Sequence, residues 1–303
     1  MRAVMNPALV VDIKTHLERE GAGVDRELER LLPEINTPPA SIHQAMRYSV
    51  FAGGKRLRPI LCLEAGRLLA AEERPLLRIA AALELVHTYS LIHDDLPALD
   101  NDDLRRGRPT SHRMFGEAVA ILAGDGLLTL AFEVITTPDL IPSDRQLRLA
   151  NDLAQAIGTR GMVGGQVVDL ESTQESVDAA RLRFIHSGKT GAFIRASVRA
   201  GALAAGASDR DLGLISHYGE RIGLAFQIAD DLLDVLGSTE AMGKAVGKDG
   251  ARHKSTYPSL YGIEESQRMA RHLVDEACES LAIYGERAQP LREIAHFLIR
   301  RQS

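Results

Sequence analysis

The chain has 303 residues, 45% of them apolar, a net charge of −5 and only two cysteines. That is enough apolar material for a sizeable core. It excludes a disulfide framework and gives no basic patch for nucleic acid. No stretch reaches 18 apolar residues without a charge, and Asp12 and Lys14 interrupt the N-terminal run as no signal peptide would allow. No membrane span is expected, and a cytoplasmic protein is.

Taken in chain order, helix formers with apolar residues at three- and four-residue spacing dominate, and strand signals are scarce. After the breaker PEINTPP (33–39), FAGGKRLRP (51–59) reads as a glycine turn feeding a helix, with Lys55, Arg56 and Arg58 around it. Residues 76–95 carry an apolar stripe of Leu76, Ile79, Ala80, Leu83, Val86, Ser90 and Leu91. The stripe runs into HDDLPALDNDDLRRGRPTSH (93–112), where five Asp fall within ten positions and Arg105, Arg106 and Arg108 follow. Pro97 disfavours the helical conformation for Leu96 and cannot join the helical ladder, so the chain bulges and brings Asp100 back toward Asp94. Asp102 and Asp103 are expected to face water.

AVAILAGDGLLTLAF (118–132) and IRASVRAGALAAGA (194–207) lack a clean polar face, as helices do inside a bundle or at a subunit interface. Further stripes cover 147–157, 212–236 and 264–283, separated by breakers at 136–144 and 247–250. No linker and no short repeat divides the chain. The expectation is one all-α domain, residues 1–303, of ten or more helices.

A second acidic group lies in FQIADDLLDV (226–235), where Asp230, Asp231 and Asp234 stand at i, i+1 and i+4 of an apolar helix and lean to one side. Two carboxylates about 4 Å apart repel by roughly 4 kcal/mol at an effective dielectric near 20, so such a cluster calls for a cation. An all-oxygen set suits Mg²⁺ or Ca²⁺ rather than Zn²⁺. Two such clusters facing each other across a cavity would make one site for a polyanion held through metal. The basic residues Lys55, Arg58, Arg105 and Arg106, with His87 two turns below Asp94, fit the phosphates of that anion. HSGKTG (186–191) adds Lys189 and Thr190, and GKDG adds Lys248. HSGKTG is not a P-loop, because Arg183 stands where glycine is needed and no strand precedes it.

In order, GGKRLRP, HTYSLIHDDLPALDNDDLRRGRPTSH, GMVGGQVVDL, GKTG, FQIADDLLDV, GKD and KSTYPSL resemble the trans-isoprenyl diphosphate synthases, and among them the bacterial farnesyl diphosphate synthases. The resemblance runs from about residue 10 to 300. It implies an isoprenoid synthase bundle around a deep central cavity, assembled as a homodimer. It implies Mg²⁺, three ions with Mn²⁺ as the alternative, on Asp94, Asp100 and Asp230, assisted by Asp95, Asp231 and Asp234. Arg105, Lys189, Gln227 and Lys248 would hold the allylic diphosphate. Lys55, Arg58, His87 and Arg106 would hold isopentenyl diphosphate. The carbonyl of Lys189, the hydroxyl of Thr190 and the amide of Gln227 would stabilise the allylic cation.

Tyr89, with Ser90 beside it, would form a floor limiting product length, and with the Pro97–Ala98 insertion it favours a C15 product. Asn101 stands where the family commonly has Asp. A class I terpene cyclase would carry a differently composed second motif and no isopentenyl site. A geranylgeranyl or geranyl diphosphate synthase of the same family is the alternative, and Tyr89 argues against the longer product. A non-catalytic subunit would have lost one of these Asp or Lys residues, and none is missing.

Overall fold

The structure is a computed structural model and describes residues 12–172, 178–236 and 256–300. Helices follow one another as α1 (Ile13–Leu31), α2 (Ala40–Val50), α3 (Leu57–Leu68) and α4 (Glu73–Asp94). A two-residue hairpin, β1 (Leu104–Arg105) and β2 (Arg108–Pro109), precedes α5 (Ser111–Phe115), α6 (Glu117–Ile135), α7 (Ser143–Ile157) and α8 (Met162–Glu171). Then come α9 (Ala179–His186), a π-turn (Ser187–Gly191), α10 (Ala192–Ala205) and α11 (Asp209–Leu236). The described chain ends with α12 (Tyr257–Tyr261), α13 (Ile263–Ser280), a 3₁₀ stretch (Ala282–Ala288) and α14 (Gln289–Arg300).

The all-α expectation holds. α4 is the central rod: α1, α2, α3, α6 and α10 pack around it. Its residues Ile79 to Val86 are buried on every side, wider than a one-sided stripe. Each fully buried Leu, Ile or Val there contributes roughly 1.5–3 kcal/mol. α10 is equally apolar and lies between α3, α7 and α11. Tyr218 of α11 is fully buried and donates its hydroxyl to the Leu291 carbonyl at 2.7 Å, tying α14 to the core.

By length and composition α4 and α6 could each cross a membrane, although charged residues interrupt both; here α6 packs along α4 within the bundle. α6 keeps Ile121 and Leu122 at 42% and 56% exposure, the face expected of an interior or interface helix. The 264–283 stripe ends early: α13 stops at Ser280, and Gly285 (φ 58°) breaks the 3₁₀ stretch that follows. The hairpin was not expected. Two residues per strand leave no alternation to read, and its turn uses Arg106 (φ 52°) and Gly107 (φ 74°).

Candidate active site

Asp94 closes α4. Beyond it the chain turns back as expected of Pro97: Leu96 N–H donates to the His93 carbonyl at 3.1 Å, and Asp100 N–H donates to the Asp94 carbonyl at 2.9 Å. Asp94 and Asp100 are thereby neighbours. Burial raises the Asp94 carboxyl above its usual range, the Asp100 and Asp95 charges push it further up, and Lys189 and Arg105 pull it down. A carboxylate so placed is short of positive charge. The donors are oxygens only, which fits a hard divalent cation such as Mg²⁺.

Asp95 has a different partner. It is buried, 3% exposed, and accepts a forked pair from Arg105, Nε at 2.8–2.9 Å and Nη2 at 2.7 Å. The hairpin delivers that guanidinium. Asp95 therefore reaches any metal only indirectly, by fixing Arg105. The second motif divides similarly. Asp231 is buried and accepts the Tyr257 N–H at 2.9 Å, with His186 Nε2 at 3.8 Å, so it anchors α12 and α9 to α11. Asp230 is half-buried and Asp234 buried on the same helix.

Two turns below Asp94 along α4 lies a second pole. His87 is surrounded by cations: burial first, then Arg58, Arg106, Arg105 and Arg56, hold its imidazole neutral, well below the ordinary histidine value. Burial lowers Arg58 to about 10, with Glu84 opposing, while its guanidinium lies 5.1 Å from the Phe193 ring centre. Burial also lowers Arg106, which rests against Gly54: a Cβ there would fall 2.5 Å from Nη1. Gly54 (φ 134°) is thus needed for both the turn and the guanidinium. Lys55 is exposed beside it. Arg56 is not a free substrate ligand. It adopts φ 49° and bonds Asp25 at 2.8 Å, Glu84 at 2.7 Å and the Val50 carbonyl at 2.8 Å.

Lys189 faces the acidic pole. Burial pulls its ammonium down, but Asp169, Asp94 and Asp100 outweigh it and hold it above the ordinary lysine value. Its Nζ donates to Asp169 Oδ2 at 2.8 Å. The π-turn carrying Lys189 and Thr190 is gripped from two sides. A Cβ on Gly165 of α8 would fall 2.9 Å from Gly188 C and Lys189 Cα, and one on Gly223 of α11 would fall 2.9 Å from Gly191 Cα. These glycines let three backbones meet. Such π-turns are frequent at functional sites. Gly223 lies seven residues before Asp230, so the second motif joins the site through this turn. Thr190 and Gln227 are half-buried on the turn and on α11.

Tyr89 is half-buried; Ser90 donates to the His87 carbonyl at 2.8 Å. Lys248 lies outside the described residues, as does the GKD motif. Sequence reasoning missed Asp169, Glu84 and Gln166. Gln166 follows Gly165 and has both amide atoms buried without a hydrogen-bond partner. Glu84 is 2% exposed on α4, a carboxylate where the stripe promised only apolar contact. Its i−3 spacing from His87 was the available signal.

Two features lie apart from the site. Among the described residues, the set of His, Cys or carboxylate groups whose ligand atoms lie within 4.8 Å of one another is His16, Glu20 and Glu64. Arg67 already bonds both glutamates at 2.8–2.9 Å, so this is a salt-bridge network. A cavity of about 440 Å³ lies at the opposite end of α4, by Pro75, Ile141 and Arg145, and holds none of the predicted residues.

The polyprenyl synthetase family model matches residues 39–287. A dimethylallyltranstransferase of Fischerella ambigua is 51% identical over 87% of this chain and 77% of its own. A geranylgeranyl diphosphate synthase of Cyanophora paradoxa is 45% identical over 96% and 97%. Among solved structures, an FPP/GFPP synthase of Zymomonas mobilis superposes with TM-score 0.86 at 38% identity, over 95% of this chain and 99% of that one. A geranyltransferase of Legionella pneumophila matches with TM-score 0.86 at 39% identity, over 96% and 97%. The chain belongs to the polyprenyl synthetase family and is a prenyltransferase, whose substrates are isoprenyl diphosphates.

Proposed function

We propose that this prenyltransferase is a cytoplasmic, homodimeric farnesyl diphosphate synthase. It joins isopentenyl diphosphate head to tail (1'-4) to dimethylallyl and then geranyl diphosphate, with Mg²⁺. The observation that carries the reading is the pair of opposite poles along α4: carboxylates Asp94 and Asp100 at and just past its end, and guanidiniums around His87 two turns below. One diphosphate suits cations directly, the other suits a metal-bridged acidic site. Two diphosphates held this close bring an allylic C1 and an isopentenyl double bond together.

Asp94, Asp100 and Asp230 would hold the divalent ions, whose charge would stabilise the departing diphosphate. The chain's own part is as follows. Arg58, Arg106 and the neutral His87 hold isopentenyl diphosphate. Arg105, fixed by Asp95, and Lys189, fixed by Asp169, hold the allylic diphosphate as its C–O bond breaks. The Lys189 carbonyl, Thr190 hydroxyl and Gln227 amide face the allylic cation. The isopentenyl double bond attacks that cation, a C–C bond forms, and one proton leaves to the released diphosphate.

The C15 preference rests on Tyr89, about 7.5 Å below Asp94 at about 1.5 Å per residue of helix. A geranylgeranyl product is the second reading, favoured by the name of the Cyanophora relative. The dimer rests on the apolar outer face of α5 and α6, with Met114, Ile121 and Leu122 exposed.

The test incubates purified protein with Mg²⁺, isopentenyl diphosphate and dimethylallyl diphosphate and sizes the dephosphorylated products. A dominant C15 alcohol supports the proposal, C20 supports the second reading, and no product from folded protein overturns both. Asp94→Asn should lower turnover by orders of magnitude, with folding retained.

A further inference from the structure

Gly124 sits in the interior of α6, where glycine costs roughly 1 kcal/mol against alanine and no positive φ excuses it. Its place is taken up by His93. A Cβ on Gly124 would fall 2.5 Å from His93 Cδ2 and 3.1 Å from Cε1, so the Nε2 edge of the imidazole fills the notch that glycine leaves. The ring is held there by its Nε2, which donates to the Ile121 carbonyl at 3.0 Å, with Asp125 Oδ1 3.9 Å away. On its other side the ring meets Tyr89 edge-on, centroids 5.2 Å apart and planes at 81°. Tyr89 and His93 are one helical turn apart on α4, so the two rings form one edge-to-face pair whose imidazole is seated on α6.

We propose that Gly124 and His93 set product length, as specificity-determining residues that act through Tyr89. The inference rests on the reading that Tyr89 closes the channel for the growing chain. The tyrosine ring alone has rotamer freedom about its own Cα–Cβ bond. His93 occupies the space into which it would swing, and Gly124 provides the seat that keeps His93 there. Removing the imidazole lets Tyr89 fold into the notch on α6, and the channel deepens. Filling the notch with a methyl group closes it again, whatever stands at position 93.

The experiment measures the ratio of C20 to C15 alcohols for the wild type, His93→Ala, Gly124→Ala and the double variant. All are assayed with Mg²⁺, isopentenyl and geranyl diphosphates, with thermal melts confirming folded protein. His93→Ala should raise the ratio about fivefold, the scale of one lost ring contact. Adding Gly124→Ala to it should return the ratio toward the wild-type value, which loss of stability alone would not do. Gly124→Ala by itself displaces the ring toward Tyr89 and should lower the ratio, so α6 tests the inference even if His93→Ala fails to fold. Unmoved ratios, or a double variant no shorter in product than His93→Ala, overturn the inference while leaving the proposed function standing. Absence of condensation by the wild type overturns the proposed function and the inference with it.

Discussion

Gly165→Ala isolates the positioning of the π-turn from everything else in the site. The alanine methyl group would stand 2.9 Å from Gly188 C and Lys189 Cα, and nearer still to Lys189 N, where ordinary Cβ contacts begin at 3.4 Å. All the opposing atoms are backbone, so no side chain can rotate away. The turn must move by at least about half an ångström. A misplacement of about 1 Å costs on the order of a hundredfold in rate, so a tenfold to hundredfold fall in kcat is expected. Stability should change less. Overpacking costs roughly 1–3 kcal/mol, while replacing a helical glycine by alanine returns roughly 1 kcal/mol.

The assay is the initial rate of diphosphate release at saturation with both substrates, paired with a thermal melt. Gly213→Ala on α11, with nothing within 4 Å of the added methyl, is the control and should leave kcat unchanged. A Gly165→Ala enzyme within twofold of wild-type kcat would refute the idea that the glycine grip places Lys189.

Two further outcomes are expected. His87 is held neutral by burial and four arginines, so its folded pKa is depressed below the ordinary 6.5. The unfolded chain then binds the extra proton, and stability is lost as pH falls below about 6.5, by about 1.4 kcal/mol at pH 5.5. Denaturant titrations at pH 7.5 and 5.5 should show a smaller loss in His87→Asn; an equal loss assigns the acid sensitivity elsewhere. Leu122→Asp places a charge on the exposed apolar face of α6; if the proposed dimer forms through that face, light scattering should find the wild type dimeric and the variant monomeric. A variant that stays dimeric moves the interface away from α6.

Much of this site was legible in the sequence because its logic is local. Pro97 alone dictates that α4 stops and that Asp100 returns to Asp94, and the apolar spacing of 76–95 makes α4 a core helix. The acidic doublets were legible as clusters but not as divided pairs. Which member is taken up by a protein partner depends on Arg105 arriving from the hairpin and on the Tyr257 N–H arriving from α12, both distant in sequence. The hairpin is too short to carry a strand signal. The π-turn is flanked by good helix formers, and only tertiary contact with Gly165 and Gly223 marks it. Glu84 falls between the stripe residues Leu83 and Val86 with no local sign of a role, whereas its burial beneath Arg56, Arg58 and Arg106 makes it their shared counter-charge.

That shared counter-charge has a thermodynamic consequence. One buried carboxylate faces several guanidiniums, and burial raises the proton affinity of Asp94 at the C-terminal end of α4. Each pole repels itself until a counter-ion arrives, so the folded chain is a better receptor for ions of both signs than the unfolded one. Any ligand that binds only the folded state adds RT ln(1 + [L]/Kd), about 2.7 kcal/mol at a hundredfold excess over Kd. The concentration of precursor diphosphates therefore bears on how long this chain survives as well as on how fast it works: a starved cell would hold a less stable copy of it than a supplied one.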